Sequence, residues 1–88
     1  MTSKDHIDFF WRPGCPFCMG LERRLKNAKV PFEKLNIWDD EQHAAFVRSV
    51  ADGNEVVPTV RVGDTSLVNP SLDEVLTAMK AQTPHLVP

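Results

Sequence analysis

The sequence predicts an α/β domain with seven elements in the order β-α-β-α-β-β-α. Two observations predict it. β-favouring runs alternate with helical apolar spacing over residues 6–51, and two short apolar runs flank Gly63-Asp64. A strand–helix–strand opening implies a parallel pair joined by a right-handed crossover, and the later hairpin adds antiparallel strands. We therefore expect a mixed sheet of four strands, with three helices covering both of its faces.

The first strand is expected at 6–11 (HIDFFW), an aromatic-rich run that the breakers RPG end. A helix follows from Pro16, which suits the first helical position because its missing N–H would have no intrahelical partner there. The apolar face of this helix is expected to hold Phe17, Leu21, Leu25 and Ala28. Val30-Pro31 ends the helix, and the alternation of FEKLNI at 32–37 predicts the second strand.

A second helix is expected to begin at Asp39 as its N-cap. Gln42, three residues later, completes a capping-box pattern. The run DGN at 52–54 stops this helix. Its expected apolar face consists of Ala44, Val47, Val50 and Ala51.

The last part of the chain predicts a hairpin and a third helix. The strands TVRV and SLV are joined through Gly63-Asp64, and Ser71 with Glu74 forms a second capping-box pattern. The third helix is expected to bury Leu72, Val75, Leu76 and Met79. We expect one domain over residues 1–88, with its core at 6–81 and a proline-containing tail at 82–88 that trails from it.

Composition limits the function. The chain has 88 residues, of which 42% are hydrophobic and 25% charged, and its formal net charge is -2, which fits one domain with a modest core and gives no electrostatic footprint for nucleic acid. No stretch approaches the roughly 18 to 20 apolar residues of a membrane span. The first ten residues carry charges where a secretory signal has an apolar core. We therefore expect the reducing cytoplasm, where a close cysteine pair is more often catalytic or metal-binding than structural.

The two cysteines, Cys15 and Cys18, lie where the first helix begins. A free thiol has a pKa of ~8.5, and helix N-termini and nearby cations lower it to ~3.5 to 7.5 in motifs of this kind. Arg12, three residues upstream, could supply such a cation. Cys18 is expected on the same side of the helix but closer to burial. The pattern therefore favours Cys15 as the attacking thiol and Cys18 as the resolving one.

Two other interpretations of the pair are weaker. A disulfide between them closes a very short loop and would brace the fold little. A structural zinc centre needs four ligands, but the sequence has no second cysteine pair, and His6, His43 and His85 show no paired ligand spacing. We expect a redox site without a metal.

Three segments together resemble the glutaredoxins of the thioredoxin fold: CPFC after the first strand, VVPT about 40 residues later, and VNPSLDEV near the end. The segment from residue 53 to 76 is most similar to the mycoredoxin branch of that family, whose members serve the thiol mycothiol. The resemblance covers residues 6–81 and implies a three-layer thioredoxin/glutaredoxin-like fold.

The resemblance also implies roles for particular residues. It makes Cys15 the nucleophile and Cys18 the second thiol. It makes Pro58 a cis-proline and the Val57 backbone the pairing partner of the substrate cysteine. The polar residue that the family places three before the nucleophile is here Arg12. The two residues inside the motif, Pro16 and Phe17, would lie beside the thiols, with Phe17 either facing substrate or packing in the helix.

The chain departs from the family pattern at two positions near the expected substrate groove. Glutaredoxins that bind glutathione usually carry Gly-Gly and then Asp near the last helix, where this chain has the run NPSL at 69–72. A basic residue is common two before the Val-Pro pair, and here it is Glu55. Both changes favour a different thiol or protein disulfides. They make Asn69 and Ser71 candidate substrate contacts, although Ser71 is better explained as a helix cap.

The expected function is reduction of mixed disulfides between proteins and a low-molecular-weight thiol, with mycothiol as electron donor, no bound cofactor and a monomeric protein. S-thiolated proteins and a flavin-dependent disulfide reductase are the implied partners. A dithiol redoxin that thioredoxin reductase reduces, and that feeds ribonucleotide reductase or other disulfides, remains an alternative. A dimer holding an iron–sulfur cluster is another, although the proline at position 16 replaces the glycine usual in such proteins.

Overall fold

A computed structural model describes residues 5–88; residues 1–4, which begin the charged N-terminal segment, lie outside the described residues. The elements follow the predicted order. They are β1 Ile7–Trp11, α1 Pro16–Asn27, β2 Phe32–Asn36, α2 Glu41–Val50, β3 Thr59–Val62, β4 Thr65–Val68 and α3 Leu72–Gln82, followed by a 3-10 turn at Pro84–Leu86.

The sheet has the strand order β2-β1-β3-β4. β1 and β2 run parallel, with Ile7 opposite Phe32 and Trp11 opposite Asn36, whereas β3 is antiparallel to both β1 and β4. The mixed four-stranded sheet with a parallel opening pair is thus confirmed. Because β1 and β2 are parallel, the loops that follow them leave the same edge of the sheet.

Alternation along β1 sends neighbouring side chains to opposite faces of the sheet. Phe9 joins the larger apolar cluster, which α1 and α3 cover with Leu21, Leu25, Val75 and Met79. Phe10 joins a smaller cluster with Ile37, Ala44 and Val47, which α2 covers. The side chain of Val57 packs against both clusters. The segment before β3 is therefore anchored to both layers of the molecule.

The α1 face differs from the prediction at its first turn. The buried residues of α1 are Cys18, Leu21 and Leu25, while Phe17 is 71% exposed. Phe17 therefore does not belong to the apolar face, and of its two predicted roles, packing in the helix is excluded. Cys18 takes that place because a cysteine held away from water behaves as a small apolar side chain.

The predicted cap of α2 was wrong by one residue. Asp40, not Asp39, is the N-cap, and its Oδ1 accepts a 2.8 Å hydrogen bond from the Gln42 N–H. Two adjacent aspartates offer the same short acceptor, so the choice between them depends on where β2 ends. Ala44 and Val47 are buried as predicted.

The cap of α3 is confirmed. The Ser71 hydroxyl accepts from the Glu74 N–H at 3.1 Å, and the Glu74 carboxylate accepts from the Ser71 N–H at 2.8 Å. Beyond α3 the structure differs from the expected trailing tail, because Thr83 is buried and Leu86 and Val87 pack against the larger cluster. The segment lies on the domain instead of leaving it. None of the described helices is long and apolar enough to cross a membrane.

Candidate functional site: the Cys15–Cys18 pair

The cysteine pair lies where β1 passes into α1. Gly14 has a φ of +76°, a left-handed conformation that favours glycine, and it turns the chain from the strand into the helix. Cys15 is the N-cap of α1 in extended conformation, and Pro16 begins the helix as predicted. The turn thus places the sulfur of Cys15 at the end of the helix where unpaired N–H groups collect.

Cys15 and Cys18 are joined as a disulfide. The Cys15 Sγ accepts a 3.1 Å hydrogen bond from the Cys18 N–H, in the way an N-cap oxygen would. Cys15 is 4% exposed and Cys18 1%, so both cysteines are buried and Cys18 more completely. After reduction, the same N–H and the positive end of the helix would stabilise a thiolate on Cys15.

The segment before β3 lies against this disulfide. The peptide bond between Val57 and Pro58 is cis, as predicted. The Val57 carbonyl oxygen lies 3.8 Å from the Cys15 Sγ, although 42 residues separate the two in sequence. The backbone that leads into β3 therefore flanks the sulfur.

Two hydrogen bonds fix this backbone. The buried Thr59 hydroxyl donates to the Val56 carbonyl at 2.8 Å, and the Asn69 N–H donates to the Pro58 carbonyl at 2.7 Å. Asn69 reaches this position with a φ of +50°, a region that asparagine tolerates better than most residues. This hydrogen bond connects the loop before α3 to the cis-proline segment and places the Asn69 backbone beside Pro58.

The predicted Arg12 contact takes a different form in the structure. The Arg12 guanidinium donates to the Pro13 carbonyl at 3.1 Å and lies 5.6 Å from the centroid of the Trp38 ring. Neither contact involves the Cys15 sulfur. Trp38 is 63% exposed and Phe17 is exposed as well, so two aromatic side chains face solvent on this part of the molecule.

An ion-pair group that the sequence did not predict joins α2 to the segment before the cis-proline. Arg48 of α2 donates to Glu55 at 2.6 Å and also pairs with Glu41. Hydrogen bonds to Glu41 and Glu55 raise the pKa of Arg48 above its usual value. Glu55, which stands where the family often has a base, is thus already engaged by a cation of its own chain. In the sequence, the only sign of this ion-pair group is that Glu41 and Glu55 each lie seven residues from Arg48.

A second polar group lies at the opposite end of β1. The Asp8 carboxylate is buried and accepts from the Arg61 Nε at 2.9 Å and its guanidinium NH2 at 2.8 Å. His6 lies 3.7 Å from Asp8 and 3.6 Å from Glu33, on the side of Asp8 away from the cysteines. Strand register brings these residues together, because Asp8 pairs with Glu33 on one side and with Arg61 on the other. Sequence spacing alone could not show this.

The site can carry out a defined chemistry. It holds a disulfide that can open to two thiols, of which one sits at a helix N-terminus beside a fixed backbone edge. A thiolate in line with the disulfide could exchange with it, while the backbone of the molecule that carries this thiolate pairs with the backbone at Val57.

Comparison with known proteins agrees with this geometry. The family model for glutaredoxin matches residues 7–67. A protein of Mycobacterium tuberculosis described as a candidate glutaredoxin is 40% identical over 62 residues, which cover 69% of this chain and 74% of that protein. Mycoredoxin 1 of Corynebacterium glutamicum is 37% identical over 68 residues, which cover 76% of this chain and 84% of that protein.

A solved structure shares the fold. The glutaredoxin-like protein NrdH-redoxin from Escherichia coli, described as having a thioredoxin-like activity profile, superimposes with a TM-score of 0.63 at 27% identity. The match covers 72% of this chain and 80% of that one. The predicted thioredoxin/glutaredoxin-like fold is confirmed.

Proposed function

Because this chain belongs to the glutaredoxin family and is a thiol-disulfide oxidoreductase, we propose that it reduces mixed disulfides between proteins and mycothiol. The observation that carries the proposal is the Cys15–Cys18 disulfide at the N-terminus of α1, with the Val57 carbonyl 3.8 Å from the Cys15 sulfur. We place this activity in the cytoplasm and assign it to the monomer.

The first step is a thiol-disulfide exchange at Cys15. With the pair reduced, the Cys15 thiolate attacks the mycothiol sulfur of a protein–mycothiol disulfide. A Cys15–mycothiol disulfide forms, the original disulfide breaks, and the client protein leaves as a thiolate that takes up a proton. No electrons are lost or gained overall, because one disulfide replaces another.

Two routes then release Cys15. A second mycothiol thiolate can attack the adduct, which yields mycothiol disulfide and the Cys15 thiolate. Alternatively, the Cys18 thiolate attacks Cys15, which releases mycothiol and forms the disulfide that the structure contains. A flavin-dependent reductase using NADPH would supply the electrons that return either disulfide to thiols.

The other predicted site residues would position the substrate at Cys15. The Val57 backbone would pair with the substrate's cysteine while Pro58 keeps that edge turned toward the sulfur. Phe17 would contact substrate from the exposed side, since it is not packed in the helix. The loop carrying Asn69 and Ser71 would border the groove, because the Asn69 N–H is bonded to the Pro58 carbonyl.

Three observations support mycothiol over glutathione. The mycoredoxin 1 relative matches over most of both chains. Glu55 stands where a basic residue is common in the family, and its carboxylate accepts a hydrogen bond from Arg48. Ser71 uses both its hydroxyl and its N–H in the capping box, so the start of α3 is not arranged like a Gly-Gly-Asp grip.

A second candidate function follows from the solved relative. The similarity to NrdH-redoxin favours a dithiol redoxin that thioredoxin reductase reduces. That function would use both cysteines in every turnover and would need no small thiol.

Two coupled assays separate the candidates. The oxidised protein is offered NADPH either with mycothiol and its flavin-dependent reductase or with thioredoxin reductase, and a mycothiolated peptide serves as substrate in both. The proposal predicts sustained NADPH consumption in the mycothiol arm. Consumption in the thioredoxin reductase arm alone would contradict it and establish the second candidate.

A further inference from the structure

We propose that Trp38, together with the Arg12 guanidinium above it, forms the surface that binds the ring portion of the low-molecular-weight thiol. This inference rests on the proposed function and names the part of the site that selects the thiol. It assigns a specificity role to an exposed tryptophan that neither the core nor the exchange chemistry uses.

Backbone hydrogen bonds fix the position of Trp38. It follows β2, and the Ile37 N–H donates to the Trp11 carbonyl at 2.9 Å, which continues the parallel pairing to the very end of β1. The Trp38 N–H then donates to the Asn36 Oδ1 at 2.8 Å, which turns the chain. Because parallel strands end at the same sheet edge, Trp38 and the turn that leads into Cys15 lie at one edge.

Arg12 contacts the Trp38 ring. Its guanidinium lies 5.6 Å from the centroid of the Trp38 ring and donates to the Pro13 carbonyl, two residues before Cys15. The side chain therefore connects the tryptophan to the turn that holds the nucleophile. Despite this contact Trp38 is still 63% exposed, so a large part of the indole surface remains available.

The chemistry of mycothiol suits this surface. Mycothiol carries its cysteine on two six-membered polyol rings and has no carboxylate, whereas glutathione has two carboxylates and an ammonium group. The C–H faces of such rings pack on the flat face of an indole, and ring hydroxyls accept hydrogen bonds from guanidinium N–H groups. A flat aromatic face edged by Arg12 fits the rings. Position 55, where a basic residue is common in the family, holds Glu55, which is paired with Arg48. This position therefore supplies no cation for a carboxylate.

The test uses reduced full-length protein and one peptide in two forms, S-mycothiolated and S-cysteinylated. Single-turnover release of the peptide thiol is measured against substrate concentration for the wild type, Trp38→Ala, Trp38→Phe and Met19→Ala. Met19 is a matched control because it is an exposed apolar residue of α1. A urea melt of each variant shows whether the fold is retained.

We expect Trp38→Ala to raise the half-saturating concentration of the mycothiolated peptide roughly tenfold, the size expected for loss of one aromatic contact. The cysteinylated peptide lacks the rings, so its value should change less than about twofold. Trp38→Phe should keep most of the wild-type value because it keeps an aromatic face, and Met19→Ala should match wild type with both peptides.

Two results would overturn the inference in distinguishable ways. If Trp38→Ala affects both peptides equally, or neither, Trp38 does not bind the rings, although the proposed function stands. If the wild type itself does not prefer the mycothiolated peptide, the proposed thiol is wrong and the inference fails with it.

Discussion

The two faces of the sheet are stabilised in different ways. On the face of Phe9, α1 and α3 enclose the larger apolar cluster, which includes Cys18. On the face of Phe10, the single helix α2 covers a smaller cluster, and the buried ion pair of Asp8 with Arg61 lies beside it. The Arg61 guanidinium also lies 4.5 Å from the Phe46 ring centroid on that face.

The two faces support the cysteine site through different contacts. The larger cluster contains Cys15 and Cys18 themselves, whereas the smaller cluster reaches the site only through Val57, which packs against both. Damage to either face should therefore slow exchange in the folded protein, and damage to the first face should cost more stability because two helices pack there.

The largest expected effect comes from adjacent residues on the two faces. Phe9→Ala should lower the free energy of unfolding by about 4 kcal/mol, because two helices hold the resulting cavity open. Phe10→Ala should cost about 3 kcal/mol, because one short helix can move inward, yet it should slow exchange several-fold through Val57. Urea melts and single-turnover rates measure the two quantities.

Leucine variants at the same two positions serve if an alanine variant does not fold. The comparison fails if the variant at Phe10 destabilises more than the one at Phe9, or if only one of the two variants slows exchange.

The next largest loss of stability is expected at the ion pair between Asp8 and Arg61. Arg61→Met should cost about 2 to 3 kcal/mol, because it leaves the buried Asp8 carboxylate without its guanidinium; Arg61 is itself about one-third exposed, which keeps the loss at the low end. Lys80→Met removes an exposed cation from α3 and is the control. Equal urea midpoints for these two variants would show that the second face does not depend on charge.

A smaller effect is expected at the cap of α3. Ser71→Ala should lower the free energy of unfolding by about 1 kcal/mol, because the Glu74 N–H loses its acceptor. Ser71→Asp should retain most of the stability, since aspartate caps equally well. If both variants lose the same amount in a thermal melt, Ser71 contributes through something other than the cap.

The smallest effect is pH-dependent. Partial burial of Glu22 opposes its ionisation, but hydrogen bonds from Lys26 and Lys34 outweigh this and hold its pKa below the usual value of 4.5. A lowered pKa adds stability above pH 4.5, which is lost as the pH falls through the folded-state value.

Glu22→Gln should therefore cost about 0.5 kcal/mol near neutral pH, and the difference from wild type should vanish in acid. Urea midpoints of both proteins at neutral pH and at a series of pH values below 4.5 measure it. A difference that does not depend on pH would rule out the ion pairs as its cause.

Local chemistry made part of the molecule predictable. Pro16 at the first helical position and the Ser71–Glu74 capping box depend on residues within one turn, so sequence spacing reveals them. Phe17 was misplaced because an apolar periodicity counts every large side chain as core. The cysteine next to it, assigned to chemistry, occupies the buried position instead.

Contacts between distant segments were not predictable in this way. The Asp8–Arg61 pair spans 53 residues and depends on strand register, which one sequence does not reveal. The contact between the Arg12 guanidinium and the Trp38 ring needs the parallel pairing of β1 and β2 to be known first. The cis-proline position was found only through the resemblance, because a Val-Pro pair alone is usually trans.

The proposed function requires Cys15 to be the attacking thiol. Reduced wild type, Cys15→Ser and Cys18→Ser are each mixed with a mycothiolated peptide, and peptide release and protein mass are followed. We expect no release above background from Cys15→Ser, release with a stable mycothiol adduct from Cys18→Ser, and release with an internal disulfide from wild type. Release at the wild-type rate from Cys15→Ser, with the adduct on Cys18, would contradict the account.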